Sequence, residues 1–298
     1  MKGIILAGGH GTRLYPLTKY ISKQLLPIYD KPMIYYPLSV LMQARIKDIL
    51  LITNPEFINL YKDLFGDGSH LGLNINYKIQ NAPKGIAEAF ILGEEFIEKD
   101  NVCLVLGDNL FVGKSLSDLL INCTEKLRKN LCSIVAYKVS DPGRFGVVDF
   151  DNNMNAKSIE EKPKKPKSQY AVTGIYFYTN NVVDLAKKLK PSERGELEIT
   201  DINNIYINNS KMSVEVMDSK SFKWLDTGTF DALNEASDYI QSFQKKTYQQ
   251  ISLPDEIAYQ NNFINLNQLK KNLPNLSIDL QNYLLKKYLD GWLLTNIL

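Results

Sequence analysis

The sequence predicts an α/β protein: a mostly parallel central sheet with helices on both faces, followed by C-terminal helices. Three features point there. The first half alternates short apolar runs with amphipathic stretches, the pattern of strands joined by crossover helices. The middle is richer in strand-like runs, and beyond Thr229 the periodicity becomes helical. The 298 residues correspond to about two domains at roughly 150 residues each, or to one large α/β domain with additions.

Each element follows from its own stretch of residues. Residues 3–7 are a short apolar run that stops at glycines and reads as a buried strand. Residues 32–44 have helical apolar spacing, 48–53 read as a second strand, and 55–64 as a helix. A third strand spans 74–79, a helix about 86–97, and a fourth strand 102–106, ending in Gly107-Asp108-Asn109. In parallel sheets ligands sit beyond the carboxyl ends of the strands. The loop after Leu6, the loop after Ile79 and the turn at Asp108 should therefore converge. Residues 133–139, 146–150, 156–160 and 171–178 read as strands. Residues 162–167 are a basic, proline-punctuated loop, with Lys164, Lys165 and Lys167 solvated. The helical pattern runs over about 230–246, and the remainder reads as helices broken at Pro254 and Pro274.

Composition excludes several classes. Apolar residues at 44% and charged residues at 23% are the mix of a soluble globular protein, not of a disordered chain, a collagen or a disulfide scaffold. Lys plus Arg is 35 against 33 Asp plus Glu, too balanced for nucleic-acid binding through bulk charge. Cys103, Cys123 and Cys132 are odd in number and form no C-x-x-C pair, so they read as buried thiols rather than a zinc site. No stretch of 18 apolar residues exists to span a membrane, and the first apolar run is too short for a secretory leader. The expected compartment is the cytoplasm.

Leu6-Ala7-Gly8-Gly9-His10-Gly11-Thr12-Arg13-Leu14 follows the first strand. Its glycines let the backbone approach a ligand and aim N–H groups at an anion. It is not a Walker A loop, and Leu14 stands where the dinucleotide fingerprint needs its third glycine. Arg13 and Lys23 after it suit a triphosphate, whose charge needs several donors.

This loop, with Ser22-Lys23-Gln24-Leu25-Leu26-Pro27, resembles the signature of the sugar nucleotidyltransferases. The runs 29–38, 106–109 (Leu-Gly-Asp-Asn), 160–163 (Glu-Glu-Lys-Pro), 170–178, 194–201 and 224–229 (Trp-Leu-Asp-Thr-Gly-Thr) resemble the thymidylyl-transferring branch of that family. The resemblance extends from Lys2 to about Tyr259. It implies a Rossmann-like, three-layer nucleotidyltransferase fold. The core would span 1–228, with a nucleotide-binding half at about 1–110 and a sugar-phosphate-binding half at about 111–228. Residues 229–298 would form a helical region for oligomer contacts and regulation.

The implied reaction joins dTTP and glucose 1-phosphate into dTDP-glucose and pyrophosphate, the first step towards dTDP-rhamnose or another deoxysugar. Mg²⁺ is the implied cofactor, with Asp108 and Asp226 as its ligands. Arg13 and Lys23 would hold the triphosphate, beside Gly9, Gly11, Thr12 and Gln24 of the loop. Leu6, Gly8, Gln80 and Gly85 would hold the base. A glutamine amide pairs with the N3–H and O4 edge of thymine and of uracil alike. Preference for dTTP with leakage to UTP is therefore expected, since one methyl contact is worth only about 1 kcal/mol or somewhat more. Lys162 and Arg194 would grip the sugar phosphate. Glu161 would accept from sugar hydroxyls, assisted by Asn109, Gly146, Val172 and Gly174; strand alternation puts Glu160 on the other face. A homotetramer and feedback by dTDP-rhamnose are also implied.

Three positions depart from the family pattern. A small residue is usual where His10 stands, an acidic one where Lys84 stands, and a tyrosine where Phe145 stands. The last forty residues match poorly. The alternatives are a uridylyl- or cytidylyltransferase, and a catalytically silent sugar-nucleotide sensor. Intact Arg13, Lys23, Asp108 and Asp226 argue against the sensor.

Overall fold

The computed structural model describes residues 1–289. β1 (Lys2–Ala7) leads into a hairpin of β2 (Pro27–Ile28) and β3 (Lys31–Pro32). Then come α1 (Tyr35–Gln43), β4 (Asp48–Thr53), α2 (Ile58–Phe65), β5 (Asn74–Ile79), α3 (Glu88–Leu92), α4 (Glu94–Ile97) and β6 (Val102–Leu106). β7 (Asn109–Gly113), α5 (Leu116–Arg128), β8 (Cys132–Lys138), β9 (Gly146–Phe150), β10 (Ala156–Glu161) and β11 (Tyr170–Tyr178) follow. α6 (Val182–Lys188), α7 (Ile199–Asn208), β12 (Met212–Met217) and β13 (Phe222–Asp226) complete the core. α8 (Phe230–Thr247), α9 (Pro254–Gln260), α10 (Leu266–Asn272) and α11 (Ile278–Leu284) pack onto it.

Nine strands form the central sheet, in the order β10-β9-β11-β6-β1-β4-β5, with β8 and then β12 branching from β11. β1 pairs in parallel with β4 and β6, and β4 with β5. β1, β4 and β6 carry continuous apolar runs and are buried, as inner parallel strands are, while the edge strand β5 alternates apolar with polar residues. β11 is the pivot. It runs antiparallel to β6, β8 and β9, and its register shifts between Val172 and Tyr176, where Gly174 adopts φ 82°. The sheet is therefore mixed, with a parallel half built on β1 and an antiparallel half around β11. The three cysteines are free and buried.

A separate two-stranded ribbon, β7 with β13, brings the chain's two key aspartates together. Its register sets Asp226 opposite Asn109, the residue after Asp108. α8, capped by the Thr229 hydroxyl accepting from the Ala232 N–H, lies over this ribbon. Leu110, Val112, Leu225, Ala236 and Ile240 form a second small core there with Ile28, Met33 and Tyr36. The C-terminal helices dock on the parallel half of the core. Asn261 Nδ2 donates to the Met42 carbonyl at 2.7 Å, and Asn272 Nδ2 to the His70 carbonyl at 2.9 Å and to Asp255 Oδ1 at 2.8 Å.

Some expectations need correction. The helix expected at 86–97 is two, α3 and α4, parted at Gly93. A side chain there would press on the Ala89 carbonyl, Ile4 and Leu50, so glycine lets the segment sit tightly on the sheet. The helix expected from 55 starts at Ile58, after a turn. Pro254 opens a helix at its first turn, where its missing N–H costs nothing. Among the described residues no helix is long and apolar enough to cross a membrane. Residues 290–298 of the expected C-terminal region lie outside the described residues.

Candidate active site

Two contiguous cavities open at the carboxyl ends of the parallel strands, with Ile86, Leu106 and Asp108 lining both. The first, of about 240 Å³, is walled by Leu6, Gly8 and Gly9 after β1, Gln24, Gln80 after β5, and Gly85. Two of these glycines are required by close approach. A Cβ on Gly8 would lie 2.1 Å from Gln80 Oε1. Gly85 has φ 99°, and its Cβ would meet the backbone N and O of Leu197 at 2.5 and 2.4 Å. Gln80 is buried, and its Nε2 donates to Glu88 Oε2 at 2.7 Å, which fixes which edge its amide turns to the cavity. Gln24 is held from beneath: the Ser22 hydroxyl donates to its Oε1 at 2.8 Å and lies 2.8 Å from the hydroxyl of fully buried Tyr61. The Gly9 N–H is bonded to Asn54 Oδ1.

The second cavity, of about 320 Å³, is lined by Arg13, Asp108, Asn109, Gly146, Glu161, Lys162, Val172, Gly174 and Asp226, all expected at the site. Lys23 lines neither cavity. It is buried beneath them, with Nζ 2.6 Å from Asp108 Oδ2. Asp108 Oδ1 accepts from Asn109 Nδ2 at 2.9 Å, and the Thr227 hydroxyl donates to the Asp108 carbonyl at 2.8 Å. Asn109 in turn accepts from Trp224 Nε1 at 2.7 Å. Its amide is thus engaged at both ends within the protein, and Asn109 orients Asp108 and Trp224 rather than reaching into open space.

Asp226 faces Asp108 across the ribbon. Burial, and then the charge of Asp108, push its carboxyl above the ordinary aspartate pKa; Lys23, Arg13 and Arg144 pull the other way. Arg13 lies over the turn at Gly228, whose Cβ would come within 3.2 Å of the guanidinium. Among the described residues no group of three or more His, Cys, Asp or Glu gathers as a metal cage. Two carboxylates on one cavity do fit a hard divalent cation that completes its shell from phosphate oxygens and water.

Glu161 Oε2 accepts from the Thr200 hydroxyl at 3.0 Å, and its Oε1 lies 3.7 Å from Lys162 Nζ and 3.9 Å from Arg194. Glu160 turns away and pairs with Lys167. Arg194 stands beside the cavity and does not line it. Its guanidinium is bidentate on Glu198 at 2.9 Å, with Glu196 at 3.5 Å. Gly11 and Thr12 carry the turn that aims Arg13, and line neither cavity.

Sequence reasoning assigned no role to Asn54, Glu88, Arg144, Tyr176, Thr200, Asn203 or Trp224. Thr200 and Trp224 stand inside runs that carry the family resemblance, so a signal for them existed. Asn54 and Glu88 act from behind the cavity wall, and nothing in a single sequence marks them. Of the departures, His10 and Lys84 are exposed, while Phe145 packs on Trp224 with ring centres 5.1 Å apart.

Comparison with known proteins fits this geometry. The nucleotidyl transferase family profile matches residues 2–242. A glucose-1-phosphate thymidylyltransferase of Neisseria meningitidis is 54% identical over 271 residues, 91% of this chain and 93% of that protein. One from Mycolicibacterium smegmatis is 51% identical over 269 residues, 90% of this chain and 92% of that protein. A crystal structure of a Bacillus anthracis protein in complex with sucrose is 42% identical, covers 80% of this chain and 94% of its own, and superposes with a TM-score of 0.73. The chain belongs to the nucleotidyl transferase family.

Proposed function

We propose that the chain is a glucose-1-phosphate thymidylyltransferase, transferring dTMP from dTTP to α-D-glucose 1-phosphate and releasing pyrophosphate. The observation that carries this reading is the pair of cavities joined at Asp108, a glycine loop on one and Glu161 with Lys162 on the other, in a chain about half identical to enzymes of that name.

In this reading a phosphate oxygen of the sugar phosphate attacks the α-phosphorus in line. A new P–O bond forms as the bond to the β-phosphate bridging oxygen breaks. The nucleophile is anionic near neutral pH, so no general base is required, and neither histidine lines either of these two cavities. What the reaction needs is charge neutralisation and alignment. Arg13 steadies the departing pyrophosphate. Lys23 acts from below, holding Asp108 in place. Asp108 and Asp226 would hold Mg²⁺, which when bound withdraws charge from phosphate oxygens. Lys162 and Arg194 take the sugar phosphate, and Arg194 must leave its glutamates to do so. Glu161, set by Thr200, accepts from the sugar hydroxyls. Gln80 reads the base edge.

The division of labour we infer is a nucleotide half at about 1–110, a sugar-phosphate half at about 111–228, and a helical region from 229. That region would serve a cytoplasmic homotetramer with dTDP-rhamnose as feedback inhibitor. The deciding experiment is metal-dependent pyrophosphate release with glucose 1-phosphate, comparing dTTP, UTP and dCTP. Fastest release with dTTP, lost on chelation and restored by Mg²⁺, supports the reading. Preference for UTP moves the protein to a uridylyltransferase, and silence with all three revives the sensor.

A further inference from the structure

The glycine turn is held by one side chain that directly follows β4. Asn54 is 5% exposed, and its carboxamide meets the Gly9 peptide at both ends. Oδ1 accepts from the Gly9 N–H at 3.1 Å, and Nδ2 donates to the Gly9 carbonyl at 3.2 Å. Only one setting of the amide satisfies both bonds. Only a short side chain with a donor and an acceptor on separate atoms can make them: aspartate lacks the donor, and a hydroxyl is a single atom. Farther along the loop the Thr18 hydroxyl donates to the Gly11 carbonyl at 2.8 Å, while at Gly9 itself Asn54 supplies both hydrogen bonds. Gly9 has φ 91°, and no atom lies within 4 Å of where its Cβ would be. The neighbouring Thr53 hydroxyl donates to the Ala7 carbonyl at 3.2 Å, so the end of β4 pins the loop at two successive points. The Gly9 N–H is thereby spent inside the protein. The N–H groups of His10 and Gly11 have no acceptor among the described residues.

We propose that Asn54 is a positioning residue for nucleotide binding: by clamping the Gly9 peptide it withholds that N–H from the ligand and aims the donors after Gly9 at the triphosphate. The inference rests on the nucleotidyl-transfer reading above. Loss of the clamp leaves the half-buried Gly9 amide uncaptured and the turn loosened, so the donors after it are no longer held on the phosphates.

The test is steady-state kinetics of Asn54→Ala and Asn54→Thr with both substrates, alongside thermal melting. Asn54→Ala is expected to raise the KM for dTTP about tenfold, while the KM for glucose 1-phosphate and the melting temperature stay at wild-type values. Asn54→Thr, which keeps an acceptor for the Gly9 N–H, should recover part of the loss. A wild-type KM for dTTP in Asn54→Ala overturns the proposal. So does an equal loss for both substrates with a lowered melting temperature, which makes Asn54 merely structural. If Asn54→Ala does not fold, Asn54→Thr decides alone: a rise confined to dTTP supports the clamp, and a general loss overturns it. A wild-type protein that turns over no dTTP refutes the functional reading instead. The same variants, titrated with whichever nucleoside triphosphate the wild type binds, then judge Asn54 separately.

Discussion

The two cavities are built on opposite principles. On the nucleotide side the polar groups are buried and committed: Lys23 to Asp108, Gln24 to Ser22, Gln80 to Glu88, Asn54 to Gly9. That wall is preorganised, and its side chains have few places to go. On the sugar-phosphate side Lys162, Glu161 and Arg194 are open to solvent and paired with one another or with neighbouring glutamates. Exposed pairs of this kind contribute little to stability. Their charges are available for exchange with a phosphate. Substitutions of Lys23, Gln24 or Gln80 should therefore disturb fold and binding together, that of Asn54, which holds only a loop turn, should disturb binding while sparing the fold, and those on the second side should disturb binding alone.

The sharpest test is at the seam. Asp226→Asn should lower kcat about a thousandfold without lowering the melting temperature, because it removes a buried anion that Asp108 already disfavours. Pyrophosphate release and a thermal scan on one preparation check both halves of that statement. Next is Lys23→Met, which strips Asp108 of its buried cation. A fall in kcat/KM of about a hundredfold should come with about 1–3 kcal/mol of destabilisation, measured by denaturant unfolding. Lys162→Gln on the open side should raise the KM for glucose 1-phosphate about tenfold and leave both the KM for dTTP and the unfolding midpoint unchanged. A stability loss there would break the contrast.

The smallest effect lies away from the seam. Asp255 is buried between α9 and α10, and burial raises its carboxyl pKa despite the Asn272 hydrogen bond. A folded pKa above the unfolded one favours the protonated form. Its stabilising contribution is then present below the ordinary aspartate pKa and is lost as pH rises through the folded value. Asp255→Asn should be more stable than wild type near neutrality, with the difference vanishing in acid; urea midpoints across pH would show it.

The contrast also explains what could be read from the residues alone. The strands at 48–53, 74–79, 102–106 and 146–150 match expectation to the residue, two of them through runs of consecutive apolar residues and 74–79 through alternation. β7 and β12 escaped notice. β7 pairs only with β13, and β12 joins the sheet beside β8, so each depends on a distant partner. α5 and α6 lie in stretches without a motif, and α7 starts inside the 194–201 run, whose resemblance marks residues rather than a helix. At the site the residue types were legible and their partners were not. Nothing near Lys23 in sequence says that it meets Asp108, and nothing near Asn109 says that Trp224 will take its carbonyl oxygen. Loop and cavity walls are closed by long-range pairings, which a single sequence does not spell out.

The contact between Gly85 and Leu197 has a consequence for the protein's history. The Leu197 N–H donates to the Lys84 carbonyl at 2.7 Å, and the Ala87 N–H donates to the Leu197 carbonyl at 3.2 Å, on either side of a glycine with no room for a side chain. The Gly85 wall of the first cavity is thus stitched to the segment carrying Glu196 and Glu198, the carboxylates that hold Arg194. A lineage that reshapes this wall for another nucleotide also moves the grip on the sugar phosphate. On the proposed reading the two specificities are coupled, and a substitution in this wall is expected to change the affinity for both substrates.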